Sequence, residues 1–265
     1  MLKNHFANKK DLSIFDYFSI ELLKAKRAKI FPILLIAPIL VVVSGISALN
    51  MYITPEYPDP WAAMFIQSAL LFSYYLLPFS MIVVCIMLQS IEKQTGGILK
   101  MLSLPINKTK MLLAKFVVLV GYLLAEMLIF LLVFIIAGGY TSATNEIVHP
   151  VPISYILKWS SFIFLAMLPS VAVMWTITVK FSKIFISVGL NFLFTIPGIL
   201  FSAFPVWYLF PYCYSGHVIR SAIGSTTTKS MELPFELFPF VPIAIIIFIL
   251  FLLASINSFG KYETR

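Results

Sequence analysis

Six long apolar stretches alternate with short polar breaks, and each reaches the roughly 20 residues a helix needs to cross a bilayer. They lie near residues 31–53, 61–90, 112–137, 154–179, 184–209 and 237–257. The pattern predicts an all-α membrane protein with six transmembrane helices in a single domain over 1–265. Pro78 sits inside the overlong second stretch and predicts a kink there. Ahead of the first stretch, residues 1–30 are polar and basic, with no small-residue cleavage site after a short apolar core, so they do not read as a removable signal. Within them Ser13 and Asp16 form a capping box, and Leu12, Phe15, Phe18 and Leu22 fall near one helical face. Lys24, Lys26, Arg27 and Lys29 crowd the C-terminal end, where cations suit both the helix dipole and anionic headgroups. This segment reads as an amphipathic interfacial helix or, equally, as a simple basic anchor for the first span.

The longest polar and basic interruption runs from Ile91 to Lys115. Ile91, Thr95, Ile98 and Leu102 recur at i, i+4, i+7 and i+11, one face of a short helix, while Glu92, Lys93 and Lys100 lie off that face. Pro105 ends it, and Asn107 or Thr109 is placed to cap the helix that follows. Gly96 and Gly97 cost about 1 kcal/mol each against alanine in a helix, so the pair implies a bend or the close approach of another backbone. With both termini cytoplasmic, sixteen basic residues fall inside and three (Lys158, Arg220, Lys229) outside. That is the asymmetry expected of a membrane chain, and the inverted topology would violate it.

Composition agrees: 60% hydrophobic and 11% charged residues, with a mean hydropathy of +0.98, exclude an ordinary soluble domain. The net charge of +8 is too dispersed among apolar spans to indicate nucleic acid. Cys85 and Cys213 are expected on opposite sides of the hydrocarbon core, too far apart for a disulfide.

The order Glu92, Gly96, Gly97, Leu99, Leu102, Pro105, Asn107-Lys108 and Lys115 resembles the segment between the second and third spans of ABC-2 type transporter permeases. Where that family usually carries Glu-Arg, Gly-Thr and Ser-Arg, this chain has Glu92-Lys93, Gly96-Gly97 and Asn107-Lys108. The resemblance implies that Glu92, Lys93, Gly96, Gly97, Ile98, Leu102 and Pro105 belong to a cytoplasmic coupling helix docked on an ATPase, and that the N-terminal helix is an elbow helix. It also implies that the stretch PYCYSGHVIRSAIG, between the fifth and sixth spans, forms short external or re-entrant helices. From the pattern alone, that stretch can make a short amphipathic helix, and the loop reads equally well as an interfacial belt of Trp207, Tyr208, Tyr212 and Tyr214. Small size and the run SLPINKTK, Ser103 to Lys110, are most like the lantibiotic-immunity branch of these permeases. The implied partners are two copies of an ABC ATPase carrying ATP and Mg, a second permease identical or paralogous to this one, membrane lipid and an amphiphilic antimicrobial peptide as substrate. The implied location is a bacterial cytoplasmic membrane.

The chain itself offers no cofactor site and no catalytic centre. GSTTTKS, Gly224 to Ser230, lacks the second glycine of a phosphate loop and the strand that should precede it. His5, His149 and His217 form no metal motif. The chemistry-bearing candidate is Glu126, midway along the third span. Centring an ionised carboxylate there costs about 2.5–3.5 kcal/mol, so it should face the bundle or a wet cavity, or stay protonated. It reads either as a group on the translocation path or at a moving interface, or as a carboxyl hydrogen-bonded to a neighbouring helix. Asn191 and Thr195 on the fifth span are weaker candidates for the path and more often bridge helices. Two other classes of function fit the same pattern: an ATP-independent secondary transporter or channel using Glu126, and a non-transporting assembly or sensor subunit.

Overall fold

The computed structural model describes residues 13–47, 60–94, 107–144, 151–181, 183–224 and 237–260, and among them every regular element is helical. In chain order these are α1 (Ile14–Arg27), α2 (Ile30–Leu34), α3 (Ile36–Ser47), α4 (Pro60–Leu71), α5 (Leu77–Gln94), α6 (Lys108–Thr144), α7 (Ile153–Lys180), α8 (Ile184–Phe201), α9 (Tyr214–Gly224) and α10 (Leu237–Gly260). Six helical stretches are long and apolar enough to cross a membrane: Ile30–Ser47, Met64–Ile91, Lys108–Thr141, Ile153–Lys180, Ile184–Phe201 and Leu237–Phe259. They are numbered here as spans 1 to 6.

Span 4 is the central pillar, with 72% of its apolar window buried against 6% for span 6. Spans 2, 3, 5 and 6 and helix α9 all pack on it. Spans 2 and 3 are joined to each other, and span 2 to span 4, by aromatic contacts. Phe72 and Phe130 stack at 4.8 Å, Phe65 meets Phe134 edge-on at 5.5 Å, and Phe65 meets Tyr155 of span 4 at 5.9 Å. Such pairs add about 0.5–1.5 kcal/mol beyond the area they bury. They matter more here than in water, because lipid tails supply no hydrophobic drive and close contact must hold the spans together.

Three local features depart from a plain bundle. Span 2 widens into a π-turn at Phe72–Leu76, where the Leu77 N–H reaches back to the Phe72 carbonyl. Pro78 explains it, because a proline has no N–H to continue the ladder, and the helix relaxes in the turn before it. Helix α6 is the longest, at 37 residues, or about 55 Å at 1.5 Å per residue. It therefore projects beyond the hydrocarbon core. Span 5 ends at Phe201 rather than near 209, and the chain bends through Ser202 into two 3-10 turns, Trp207–Leu209 and Pro211–Cys213, before α9.

Those turns correct the placement of the cysteines. The segment after span 5 does not stay outside the bundle but folds back into it, so that Cys213 is buried beside Pro211, whose carbonyl accepts the Ser170 hydroxyl of span 4. Both cysteines are buried and free.

Candidate functional site

Sequence reasoning points to two regions, the base of spans 2 and 3 and the buried polar residues within the spans. At the base, α1 lies against α6. Its start is fixed as the Ser13 and Asp16 pattern predicts: the Ser13 backbone N–H donates to Asp16 Oδ2 at 2.9 Å. Its end turns sharply into span 1 through Lys29, whose φ of 54° is a left-handed conformation rarely used by non-glycine residues.

The docked face of α1 is Tyr17, Glu21 and Ala25, at i, i+4 and i+8, all buried. The Asn107 N–H donates to Tyr17 Oη at 3.1 Å. Asn107 Oδ1 in turn accepts the Lys110 N–H at 3.2 Å, the cap foreseen for the start of α6. Glu21 pairs with Lys24 at 2.7 Å and with the wholly buried Lys115 of α6 at 3.9 Å. Phe15 and Leu22, on the apolar face read from the sequence, point away from the protein, and Phe18 is half-buried. Sequence periodicity found the surface left for lipid and missed the one that docks, because that face is built from a tyrosine and a glutamate.

Of the coupling residues, Glu92 and Lys93 fall in the last turn of α5. Gly96, Gly97, Ile98, Leu102 and Pro105 lie outside the described residues, as does Leu12 of the N-terminal segment. What is described is the frame around them, α5 on one side and the α1-clamped start of α6 on the other.

Glu126 is fully buried in span 3. Neither carboxyl oxygen has a partner in hydrogen-bond geometry, although the Ser80 hydroxyl of span 2 lies beside it. The Ser80 hydroxyl is the group through which a neighbouring helix can bond this carboxyl. Asn191 and Thr195 sit elsewhere, on the face of span 5 turned to span 4 and to the re-entrant segment. Asn191 Nδ2 donates to the Ser187 carbonyl at 3.0 Å and, more distantly, to Thr178 Oγ1 at 3.5 Å, while Asn191 Oδ1 accepts from Tyr212 Oη at 3.1 Å. The Thr195 hydroxyl donates back to the Asn191 carbonyl at 2.8 Å. Asn191 bridges elements, Thr195 bonds back within its own helix, and no hydrogen bond among the described residues joins either to Glu126.

The re-entrant segment is the region that residue patterns outlined least. The Ser170 hydroxyl, deep in span 4, donates to the Pro211 carbonyl at 2.5 Å, and Tyr155 near its start faces the Ala222 carbonyl at 3.5 Å. Helix α9 therefore rises from mid-bundle toward the end opposite α1, alongside span 4. Ser215 Oγ donates to the Ser73 carbonyl at 3.0 Å. In the π register that carbonyl would face Pro78, which cannot donate, so α9 satisfies a group the proline orphans. Gly216 allows this approach, since a Cβ there would sit 2.3 Å from the Tyr74 ring. Tyr74 Oη then donates to Ser202 Oγ at 3.0 Å, and His217 stacks on Trp207 at 3.6 Å with Nδ1 3.2 Å from the Ser202 carbonyl. The sequence signals for this arrangement were Pro78 and the stretch PYCYSGHVIRSAIG, within which α9 forms; the serine and glycine contacts carried none.

A family model described as ABC-2 family transporter protein matches residues 17–198, from α1 through most of span 5. No curated protein and no solved structure matches the chain.

Proposed function

We propose that this chain, which belongs to the ABC-2 transporter family, is the permease subunit of an ATP-driven exporter that removes an amphiphile from a bacterial cytoplasmic membrane. Membership and the six apolar helices make it a multi-pass membrane transporter subunit, in a family whose permeases usually work with an ABC ATPase. The finer reading puts α1 and both termini on the cytoplasmic side, following the basic-residue count. One ATPase copy docks on the segment from Ile91 to Leu104 and its twin on the second permease, identical or paralogous, which completes the pathway. ATP and Mg are held by the partner, and this chain carries out no catalysis of its own.

The observation that supports the reading best is the grip of α1 on the base of span 3, through Tyr17 to Asn107 and Glu21 to Lys115. A push delivered between α5 and α6 meets a start of α6 that is capped and held, so it is passed along span 3 instead of being absorbed by local fraying. Glu126 then sits at the interface of spans 2 and 3, the two spans such a push would displace. The substrate is taken as an amphiphile such as a lantibiotic or other antimicrobial peptide, already partitioned into the membrane.

The test is co-expression with the ATPase and reconstitution. Glu92→Lys and Leu102→Glu are expected to insert at normal levels, yet to abolish protection against the peptide while ATP hydrolysis continues. Full protection by both variants would overturn the docking role. Transport by the purified chain alone under a pH gradient would favour a secondary transporter instead.

A further inference from the structure

Between spans 4 and 6, beside α9, lies a cavity of about 370 Å³. Phe162, Leu165 and Pro169 line it from span 4, Val241 and Ala244 from span 6, and Val218 from α9, and every lining side chain is hydrocarbon. The Thr176 hydroxyl donates to the Phe251 carbonyl at 2.7 Å and sets the register of the two helices. By that register Val241 lies level with Ala166, and the groove runs inward from there to Phe248. Leu165, Val241 and Ile245 are exposed along its rim, so it opens sideways, at a depth where the surroundings are acyl chains.

Lys158 precedes Phe162, Leu165 and Pro169 at i, i+4, i+7 and i+11, which puts it on the groove face of span 4, one turn above the mouth. It is exposed, with Nζ 5.7 Å from the Trp159 ring centroid. A hydrocarbon groove with a cation at its membrane-surface end is complementary to an acidic amphiphile. It is wrong for a cationic peptide, whose charges would meet Lys158 at the mouth and no acceptor side chain within. An apolar cavity of about 150 Å³ holds one benzene, so this larger, elongated space suits a stretch of a single lipid tail. Filling it restores dispersion contacts that an empty groove would lose on one side.

We propose that this groove binds one acyl chain of an anionic membrane phospholipid, whose headgroup phosphate rests on Lys158. The site is separate from the coupling segment, so its test needs no ATPase and its failure leaves the proposed function untouched. The purified chain is examined by native mass spectrometry after exchange into phosphatidylglycerol or phosphatidylcholine nanodiscs. One phosphatidylglycerol is expected to survive detergent release. Lys158→Gln is expected to lower the preference for phosphatidylglycerol about fivefold, and Ala244→Phe, which fills the groove, to remove retention of both lipids. Val241→Phe, on the exposed rim, serves the same purpose if Ala244→Phe does not fold. Equal retention of the two lipids by the wild type, undiminished retention in the filled variants, or stoichiometric displacement of the lipid by a cationic amphiphilic peptide would each overturn the assignment.

Discussion

Glu126 shows how a single buried group separates a structural role from a functional one. A polar residue kept for packing is normally hydrogen-bonded, because an unsatisfied buried acceptor costs about 1–3 kcal/mol. The Glu126 carboxyl is fully buried and outside close hydrogen-bond geometry, with the Ser80 hydroxyl of span 2 beside it. Glu126→Gln, which keeps the shape and removes the ionisable group, is therefore expected to leave thermal stability in detergent unchanged or slightly raised and to cut peptide clearance sharply. A large loss of stability with normal clearance would return the residue to a structural role. That a carboxylate in an apolar span faces inward was legible from sequence, since lipid exposure is the costly alternative. Its neighbour Ser80 was not, because no pattern within one helix records the rotation of the next.

The re-entrant helix α9 and the N-terminal helix α1 are both held by a few polar contacts on otherwise apolar supports. Ser215→Ala orphans the Ser73 carbonyl and is expected to destabilise the protein by about 1–3 kcal/mol. Gly216→Val drives a side chain into the Tyr74 ring, at a similar cost of about 1–3 kcal/mol. Thermal unfolding in detergent measures both, and wild-type midpoints would argue against the seating described for α9. At the other end, Lys115→Glu sets a second carboxylate against Glu21 and is expected to release α1. Amide hydrogen exchange over residues 14–27 should then rise while spans 2 to 4 stay protected. The length and polarity of α1 and α9 could be read from the sequence. Their docking could not, because each uses small or polar residues, serine, glycine, tyrosine and glutamate, that hydrophobic periodicity discounts.

For the assembly as a whole, the apolar runs alone set the number and order of spans, and the structure lengthened span 3 at both ends and redrew spans 2 and 5 where backbone chemistry intervened. Span 5 gives way to turns after Phe201, and span 2 carries its irregularity in the turn before Pro78 rather than at the proline itself. Orientation is open to direct measurement, since both native cysteines are buried and will stay silent toward a charged, membrane-impermeant maleimide. In intact cells Ser154→Cys is expected to label and Thr109→Cys to label only after permeabilisation; the reverse pattern would invert the topology and remove the coupling proposal with it. The hydroxyl of Ser215 on the Ser73 carbonyl has a last consequence. Span 2 changes register at that level, and its upper portion is moored to α9. Tilting span 2 is therefore expected to pull on α9 through that tether and the Gly216–Tyr74 contact beside it, carrying work done at one face of the membrane toward the other.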